Sequence, residues 1–336
     1  METVGAMARP RSQKVLELKE KLIRRIEHGY YQPGSRFLSN RALGQRFEIS
    51  YQTADTLLRE LVAEGYLFRK AGSGTYLRGE APQWKGVDLV LNERAKRKGS
   101  FGALLRDRLL DAFAKAGINV KVRWDGPSLR FTAGSLPVFW ECRELPQVLL
   151  DEGRYCLLIN QTPPKGLSAA YVDAVSVDDN SGGIAAGELV RARVRAKRIA
   201  VLAGPQSDQR CLDRVSGFQE VFPQANVVFA ESWFYEDGIK ALEPFLESEP
   251  QVVFCANDRL AQALLDTMKN RAIPPPRIIG FDDAPIAEQL NLTTIAMPWQ
   301  EIADNVVEVV QKRMSGDNST AITRILAPRP MLRASL

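Results

Sequence analysis

Pro33 to Leu77 constrains the fold of this chain more than any other stretch. Pro33-Gly34 makes a turn, and Ser39 is placed to N-cap a short helix carrying Ala42, Leu43 and Phe47. Glu48-Ile49 is a tight connection. Ser50 then starts a second helix with apolar residues at Ala54, Leu57, Leu58, Leu61 and Val62. That spacing is one buried helix face. Gly65 is placed to end it. Two short strands follow, at 66–70 and 75–77, and Ala71-Gly72-Ser73-Gly74 between them is a hairpin signal. A preceding helix over Lys14 to His28, with Val15, Leu18, Leu22 and Ile26 on one face, completes a three-helix core. His28 reads as a cation at that helix's C-terminal end. The apolar positions are core. Ser50, Tyr51, Gln52 and Thr53, all hydrogen-bonders, open the second helix where a recognition helix would meet base edges.

Charge agrees with that reading. Residues 1–80 hold 14 Lys and Arg against 9 Asp and Glu, while the remainder holds 31 of each. The whole net charge of +5 therefore falls on the small N-terminal module, as phosphate binding requires. Residues 14–77 resemble the winged helix-turn-helix of the GntR family, through PGSRFLSNRALGQRF, ISYQTADTLLRELVAEGYL and GSGTYL. The resemblance implies that Arg41 holds a backbone phosphate. It also implies that Ser50, Tyr51, Gln52 and Thr53 face the major groove, and that the wing, with Lys70, Gly72 and Ser73, lies in the minor groove. The family usually has Arg where this chain has Tyr51.

The rest of the composition sets limits. No apolar run approaches the roughly 18 residues of a membrane span, so no membrane partner is expected. METVGAMARPR lacks the apolar core of a signal peptide, and a cytoplasmic location is expected. Cys142, Cys156, Cys211 and Cys255 are far apart, without metal spacing, and read as buried thiols. Nothing resembles a phosphate-cradling loop or a redox cysteine pair. No cofactor, no metal and no catalytic residue is expected.

After the polar linker 79–86, strands alternate with helices. Strands are expected at 87–91, 118–124, 155–160, 171–177, 198–204, around Val227, and at 252–258 and 277–283. Helices are expected at 103–116, 183–193, 208–221, 237–247 and 259–271. This alternation predicts an α/β fold with parallel sheets in βαβ units, and ligands past the carboxyl ends of the strands. Asn92, Asn160, Asp179, Asn180, Asn257, Asp258, Asp282 and Asp283 follow those strands. Such carboxylates and amides suit a polyol. Asp178-Asp179 and Asp282-Asp283 are adjacent on the chain, so their side chains diverge, which argues against a catalytic carboxylate pair and against a carbohydrate- or nucleoside-active enzyme.

Residues 87–333 resemble the LacI-family effector domain, which is similar to periplasmic sugar-binding proteins. The matching motifs are VDDNSGGIAAGELV (177–190), RIAVLAG (198–204), DRVSGF (213–218), VVFCANDRLAQALL (252–265) and IIGFDDAPIAEQLNLTTIAMP (278–298). Residues 125–154 match poorly. The resemblance implies two lobes joined near 194–197, 291–294 and 326–329, with an effector in the cleft. It assigns Asn257 and Asp282 to effector hydroxyls, Trp233 to stacking on a ring, and Asn180 to a contribution from the first lobe. Asn92, Arg210 and Arg214 complete the candidate set. The family commonly places an effector-binding Arg at the position of Leu212, which departs from it. A GntR head on a LacI-type body resembles the arabinose-type repressors. The domains are then 12–78 for the winged helix, 79–86 for the linker and 87–336 for effector binding and dimerisation. The implied partners are a pseudo-palindromic double-stranded DNA operator, a sugar-like effector and a second copy of the chain. The implied mechanism is lobe closure on the effector, which resets the spacing of two DNA-binding heads. Arg191, Arg193, Arg195, Lys197 and Arg198 form a basic cluster at a helix end, read as solvated.

Overall fold

A computed structural model describes residues 13–27, 30–31, 34–78, 84–98, 100–126, 129–132, 134–142, 155–161, 172–317 and 321–336. His28, Pro33, most of the linker and 143–154 lie outside the described residues.

The head contains α1 (Gln13–Glu27), α2 (Asn40–Phe47), α3 (Tyr51–Ala63), β1 (Leu67–Lys70) and β2 (Gly74–Leu77). Ser39 Oγ accepts from Ala42 N at 3.2 Å, and Ser50 Oγ accepts from Thr53 N at 3.1 Å, so both expected caps form. Helix α3 ends on Gly65 at φ +86°, with Gly65 N donating to Val62 O and Tyr66 N to Leu61 O. This is the paired-carbonyl closure that a left-handed glycine makes possible. Leu18, Leu22, Phe37, Leu43, Phe47, Ala54, Leu57, Leu58, Leu61, Leu67 and Leu77 form one core. On the surface, the Asp55 carboxylate accepts from Asn40 Nδ2 and Arg69 Nη2, both at 3.0 Å, and pairs with Arg59 Nε at 3.0 Å. It thereby ties α2, α3 and the wing together.

The chain folds into two compact units: 1–93 with 110–174 and 305–323, and 94–109 with 175–304 and 324–336. The first contains most of a sheet of order β13-β7-β6-β5-β3-β4. Its strands are β3 (Gly86–Leu91), β4 (Val120–Trp124), β5 (Ser135–Trp140), β6 (Cys156–Ile159), β7 (Val172–Val177) and β13 (Thr323–Leu326). Helix α4 spans Phe101–Lys115. Pairings β3–β4, β3–β5 and β5–β6 are parallel. Strand β5 is fully buried, yet sequence patterning left it without an element. Its Pro137 removes a ladder donor, a residue that argues against a central strand. A buried network pins this unit. Asp173 accepts from Arg313 Nε and Nη2, both at 2.8 Å, and from Tyr155 Oη and Ile322 N, both at 2.7 Å.

The second sheet has the order β14-β12-β11-β10-β8-β9. Its strands are β8 (Ile199–Ala203), β9 (Asn226–Phe229), β10 (Val252–Cys255), β11 (Arg277–Asp282), β12 (Thr294–Ala296) and β14 (Arg329–Met331). All its pairings are parallel except β12–β14. The helices are α5 (Asp179–Arg193), α6 (Gln209–Val221), α7 (Tyr235–Lys240), α8 (Leu242–Leu246), α9 (Asp258–Asn270), α10 (Pro285–Gln289) and α11 (Trp299–Met314).

Several expectations need correction. Helix α5 begins four residues before 183, capped by Asp178, whose Oδ1 accepts from Ser181 N at 2.9 Å. Gly182-Gly183 obscured that start, because glycine is a poor helix former. The helix expected at 237–247 is two helices that meet at Ala241. The segments 194–197 and 291–294 do not pass between units. They join α5 to β8 and α10 to β12 within the second, and the chain changes units at 93–94, 109–110, 174–175, 304–305 and 323–324. Strands β12, β13 and β14 and helix α11 had no counterpart in the sequence reading.

The glycines of α5 and α6 bring these helices into backbone contact. A Cβ on Gly183 would lie 2.2 Å from Arg214 O, and one on Gly217 would lie 2.0 Å from Asn180 O. At Gly187 the nearest atom is Val221 Cβ, at 2.7 Å. Alanine should gain up to about 1 kcal/mol in helix propensity, but at Gly217 it must push two backbones apart. Urea denaturation should show Gly217→Ala destabilising by about 1–3 kcal/mol, and Gly187→Ala by less because a side chain can shift. Equal and small effects at both sites would contradict the close-contact account.

Candidate ligand and nucleic-acid sites

At the carboxyl end of the second sheet lies a cluster of ionised and aromatic side chains. Asp208 caps α6. It accepts from Arg210 N at 3.1 Å, from the Arg210 guanidinium through Nη2 at 2.9 Å, and from Trp233 Nε1 at 2.8 Å. Burial pushes the Asp208 carboxyl up, but Arg210 and the Trp233 indole outweigh it and hold the group well below the usual carboxylate range.

Arg214, one turn along α6 from Arg210, is 3% exposed. Its Nε donates to Asp179 Oδ1 at 2.7 Å, and its Nη1 to Asp282 Oδ1 at 3.0 Å and Ala256 O at 2.7 Å. The guanidinium carbon lies 3.8 Å from the centre of the Phe281 ring and 5.3 Å from that of Trp233. A buried cation needs this much counter-charge and hydrogen bonding to remain in place.

Asp282 ends β11 at φ +106°, and Asp283 follows at φ +53°. Both are costly for non-glycine residues, and such strain concentrates at functional sites. The Asp282 carbonyl accepts from Trp299 Nε1 at 3.0 Å and Met297 N at 3.2 Å, which fixes the bend. Burial pushes the Asp282 carboxyl up to about 6, against the pull of Arg214. Asn257 caps α9 through Leu260 N at 2.8 Å and donates Nδ2 to Trp233 O at 3.0 Å. Beneath the Trp233 ring, any side chain on Gly204 would collide, since its Cβ would fall 2.5 Å from a ring carbon.

Arg210, Arg214, Trp233, Asn257 and Asp282 are thus brought together. Asn180 is not part of this cluster. It belongs to the second unit rather than the first, and its Nδ2 donates to Glu220 Oε1 at 3.2 Å. The neighbouring Asp179 reaches Arg214 instead, because successive helical residues point about 100° apart. Arg214, two residues beyond Leu212, has its guanidinium bound to Asp179, Asp282 and Ala256 O. Asp179 and Asp208 are the residues that the candidate set missed. Asp179 stood among the polar strand-end residues, and Asp208 precedes a helix as an N-cap would.

In the first unit, Asn92 donates Nδ2 to Glu141 O at 3.3 Å. Asn160 follows β6 at φ +51°, 7% exposed, and neither Nδ2 nor Oδ1 has a partner among the described residues. A buried amide left so is costly unless a ligand or solvent completes it. Gln161 is anchored by donating Nε2 to Cys142 O at 2.7 Å.

On the head, Arg41 is exposed at the second position of α2. Tyr51 is 64% exposed, and Gln52 is exposed beside it. Ser50 and Thr53 face each other, Oγ to Oγ1 at 2.8 Å, so both hydroxyls serve the helix cap. At the wing, Lys70 Nζ lies 4.9 Å from the Tyr76 ring centre, and Ser73 Oγ lies 2.6 Å from Tyr76 Oη. Gly72 (φ +69°) and Gly74 (φ +136°) make the tip, and a Cβ at Gly74 would meet Arg36 Nε at 2.9 Å. Among the described residues, no group of three acidic, Cys or His side chains is placed to hold a metal ion, and no helix is long and apolar enough to cross a membrane.

Residues 14–77 match the model of the bacterial regulatory proteins of the gntR family, and 189–336 match that of the periplasmic binding protein-like domain. The arabinose metabolism transcriptional repressor of Geobacillus stearothermophilus is 25% identical over 345 residues, covering 89% of this chain and 92% of the relative. The HTH-type transcriptional regulator CelR of Thermobifida fusca is 26% identical over 204 residues, 57% of this chain and 59% of the relative. A PurR repressor of Photobacterium profundum is matched over 58% of its length, so the chain spans under two thirds of both these relatives. Among solved structures, a CelR-cellobiose complex aligns with a TM-score of 0.64 at 18% identity over 97% of this chain and all of that one. A LacI family regulator from Enterococcus faecium with bound ribose aligns at 0.63 and 20% identity, over 74% of this chain and 98% of that one. These structures share the fold. The chain therefore joins a segment matched by the gntR-family regulatory model to one matched by the periplasmic binding protein-like domain.

Proposed function

We propose that this chain is a transcriptional repressor whose operator binding is set by a sugar-like effector. The observation that carries the reading is the pairing of two features on one chain. A cap-stabilised helix presents Tyr51 and Gln52 to solvent on a basic head, and a buried Arg214–Asp179–Asp282 cluster sits at the carboxyl ends of parallel strands. The first suits base edges and phosphates. The second suits binding rather than catalysis, because both carboxylates are tied to one guanidinium instead of standing free as acid and base. The relatives' names support the same reading: an arabinose metabolism repressor, CelR and PurR.

In this reading the chain works as a dimer in the cytoplasm, on a pseudo-palindromic site matching its two-fold symmetry. Residues 12–78 bind DNA and 87–336 bind effector. Arg41 takes a phosphate, Tyr51 and Gln52 read bases, and Lys70, Gly72 and Ser73 enter the minor groove. Ser50 and Thr53 act through the cap that holds this helix end. Asp282 and Asn257 present polar atoms to effector hydroxyls, with Trp233 as their apolar neighbour. Arg210 and Arg214 hold the carboxylates in place. The effector must bind one state more tightly than the other, or it changes nothing.

Two predictions follow from the head. Arg41→Ala should weaken binding to operator and random DNA alike, and flatten the salt dependence by about one charge. Tyr51→Arg should shift preference toward guanine at one base pair per half-site by about 1–3 kcal/mol. Selection from randomised duplexes, run on both proteins in parallel, reads this out, and identical preferred sites would remove Tyr51 from base contact.

A third prediction concerns Asp282. With an effector identified by thermal-shift screening, Asp282→Asn should weaken it by about 1.5–3 kcal/mol. The Asp282 pKa is raised on folding from 3.8 to about 6. The group's contribution to stability is therefore complete below the unfolded value and lost as pH rises through 6. Hydroxyls donating to its ionised form should bind more tightly as pH rises through that same range. Calorimetric titration from pH 5 to 7.5 should show this gain in wild type and lose it in Asp282→Asn. A flat profile in wild type would take the carboxylate out of the contact.

A further inference from the structure

The amino ends of the second unit's strands carry a hollow that the effector reading does not use. It holds about 460 Å³, within the roughly 300–1,000 Å³ of small-molecule sites. Its polar lining is Arg191, Arg195, Lys197 and Gln251, its apolar lining is Val194, Ala196 and Phe222, and no carboxylate lines it. Arg195 and Lys197 lead into β8, and Gln251 precedes β10. Ala256 and Asp282, which hold Arg214, follow β10 and end β11. Parallel strands therefore put the hollow and the Arg214 cluster at opposite ends of one sheet. Helix α5 runs from one to the other, with Asp179 in its first turn and Arg191 in its last, roughly 18 Å along the axis.

Helix polarity explains only part of this charge. Val194 and Phe222 are the C-caps of α5 and α6, and each helix end carries roughly half a negative charge. Arg193, in the last turn of α5, is enough to offset both, and Arg191 is paired with Glu188. Arg195 and Lys197 lie beyond the helix, are exposed, and have no side-chain partner among the described residues. Gln251 holds the segment that carries them. Its Oε1 accepts from Lys197 N at 2.8 Å and Arg198 N at 3.2 Å, and Arg198 Nε donates to Glu249 O at 2.7 Å. The Gln251 Nε2 donors have no partner among the described residues. Phe222 packs on Phe218, ring centres 5.4 Å apart.

We propose that this hollow is a second ligand site, which takes a small phosphorylated metabolite. Arg195 and Lys197 bind its phosphate, with Gln251 Nε2 as a neutral donor. A phosphate ester brings roughly two negative charges and three acceptor oxygens on one centre, where a single carboxylate brings one charge for the two unpaired cations. A guanidinium grips two of those oxygens in parallel, and an ammonium adds a compact point charge. Val194, Ala196 and Phe222 give the carbon part of the ligand an apolar wall. The site shares no residue with the Arg214 cluster, so it stands or falls apart from the effector reading.

The test uses the full chain and simple probes. Inorganic phosphate, citrate and chloride at matched ionic strength are titrated by calorimetry and thermal shift into wild type, Arg195→Gln, Lys197→Gln and Asp282→Asn. Lys121→Gln, an exposed lysine of the first unit, serves as the control. The two hollow variants remove exposed, unpaired side chains, so without ligand they should melt as wild type does. Phosphate should bind wild type in preference to citrate and chloride. Its affinity should fall by about tenfold or more in Arg195→Gln and in Lys197→Gln, and stay unchanged in Lys121→Gln and Asp282→Asn. The same phosphate response in all five proteins overturns the inference. A response lost in Asp282→Asn but kept in Arg195→Gln also overturns it, because the anion would then sit in the effector site. Citrate binding as tightly as phosphate overturns the assignment of phosphate.

Discussion

A guanidinium withdrawn from water must be surrounded by counter-charge, and much of the second unit's ligand end is arranged around Arg214 for that reason. Its partners come from three distant parts of the chain: Asp179 opens α5, Asp282 ends β11, and Ala256 follows β10. Two aromatic rings, Phe281 and Trp233, lie within 3.8 and 5.3 Å of it. Each element must end where it does for these groups to meet. The positive φ at Asp282 follows, because the strand has to turn sharply to deliver the carboxylate while Trp299 and Met297 hold its carbonyl.

The same constraint explains the glycines on the helices that carry Asp179 and Arg214. A 2.7 Å bond between those residues requires α5 and α6 to approach closely, and Gly183 and Gly217 leave room for backbone where any Cβ would clash. The first unit contains a second buried pair, Asp173 with Arg313, which joins β7 to the end of α11 and also binds Ile322 N ahead of β13. Both units therefore use a buried arginine to bring together pieces of chain that are far apart in sequence. Neither arrangement is expected to add much net stability over apolar packing, but losing one partner from either would leave a buried charge uncompensated.

Legibility in the sequence followed the range of the interactions. The head could be read almost residue by residue, because caps, the Gly65 closure and the Gly72–Gly74 tip are local chemistry. The strand-end polar residues were legible for the same reason, and Asp282, Asn257, Arg210 and Arg214 do converge. The pairing of 179, 214 and 282 was not, since no local pattern says which residues meet across a sheet. Asn180 was expected from the resemblance, and it is the neighbouring Asp179 that meets Arg214. Strand β5 was hidden by Pro137.

The most direct test of a ligand-controlled DNA-binding chain is selection of duplex DNA by the full-length protein, followed by anisotropy titration of the winner with and without an effector found by thermal shift. The account predicts one enriched, inverted-repeat sequence whose affinity changes by about fivefold or more when effector is added, the scale of ordinary allosteric coupling. No enriched sequence, or an affinity unchanged by a ligand that demonstrably binds the protein, would contradict it.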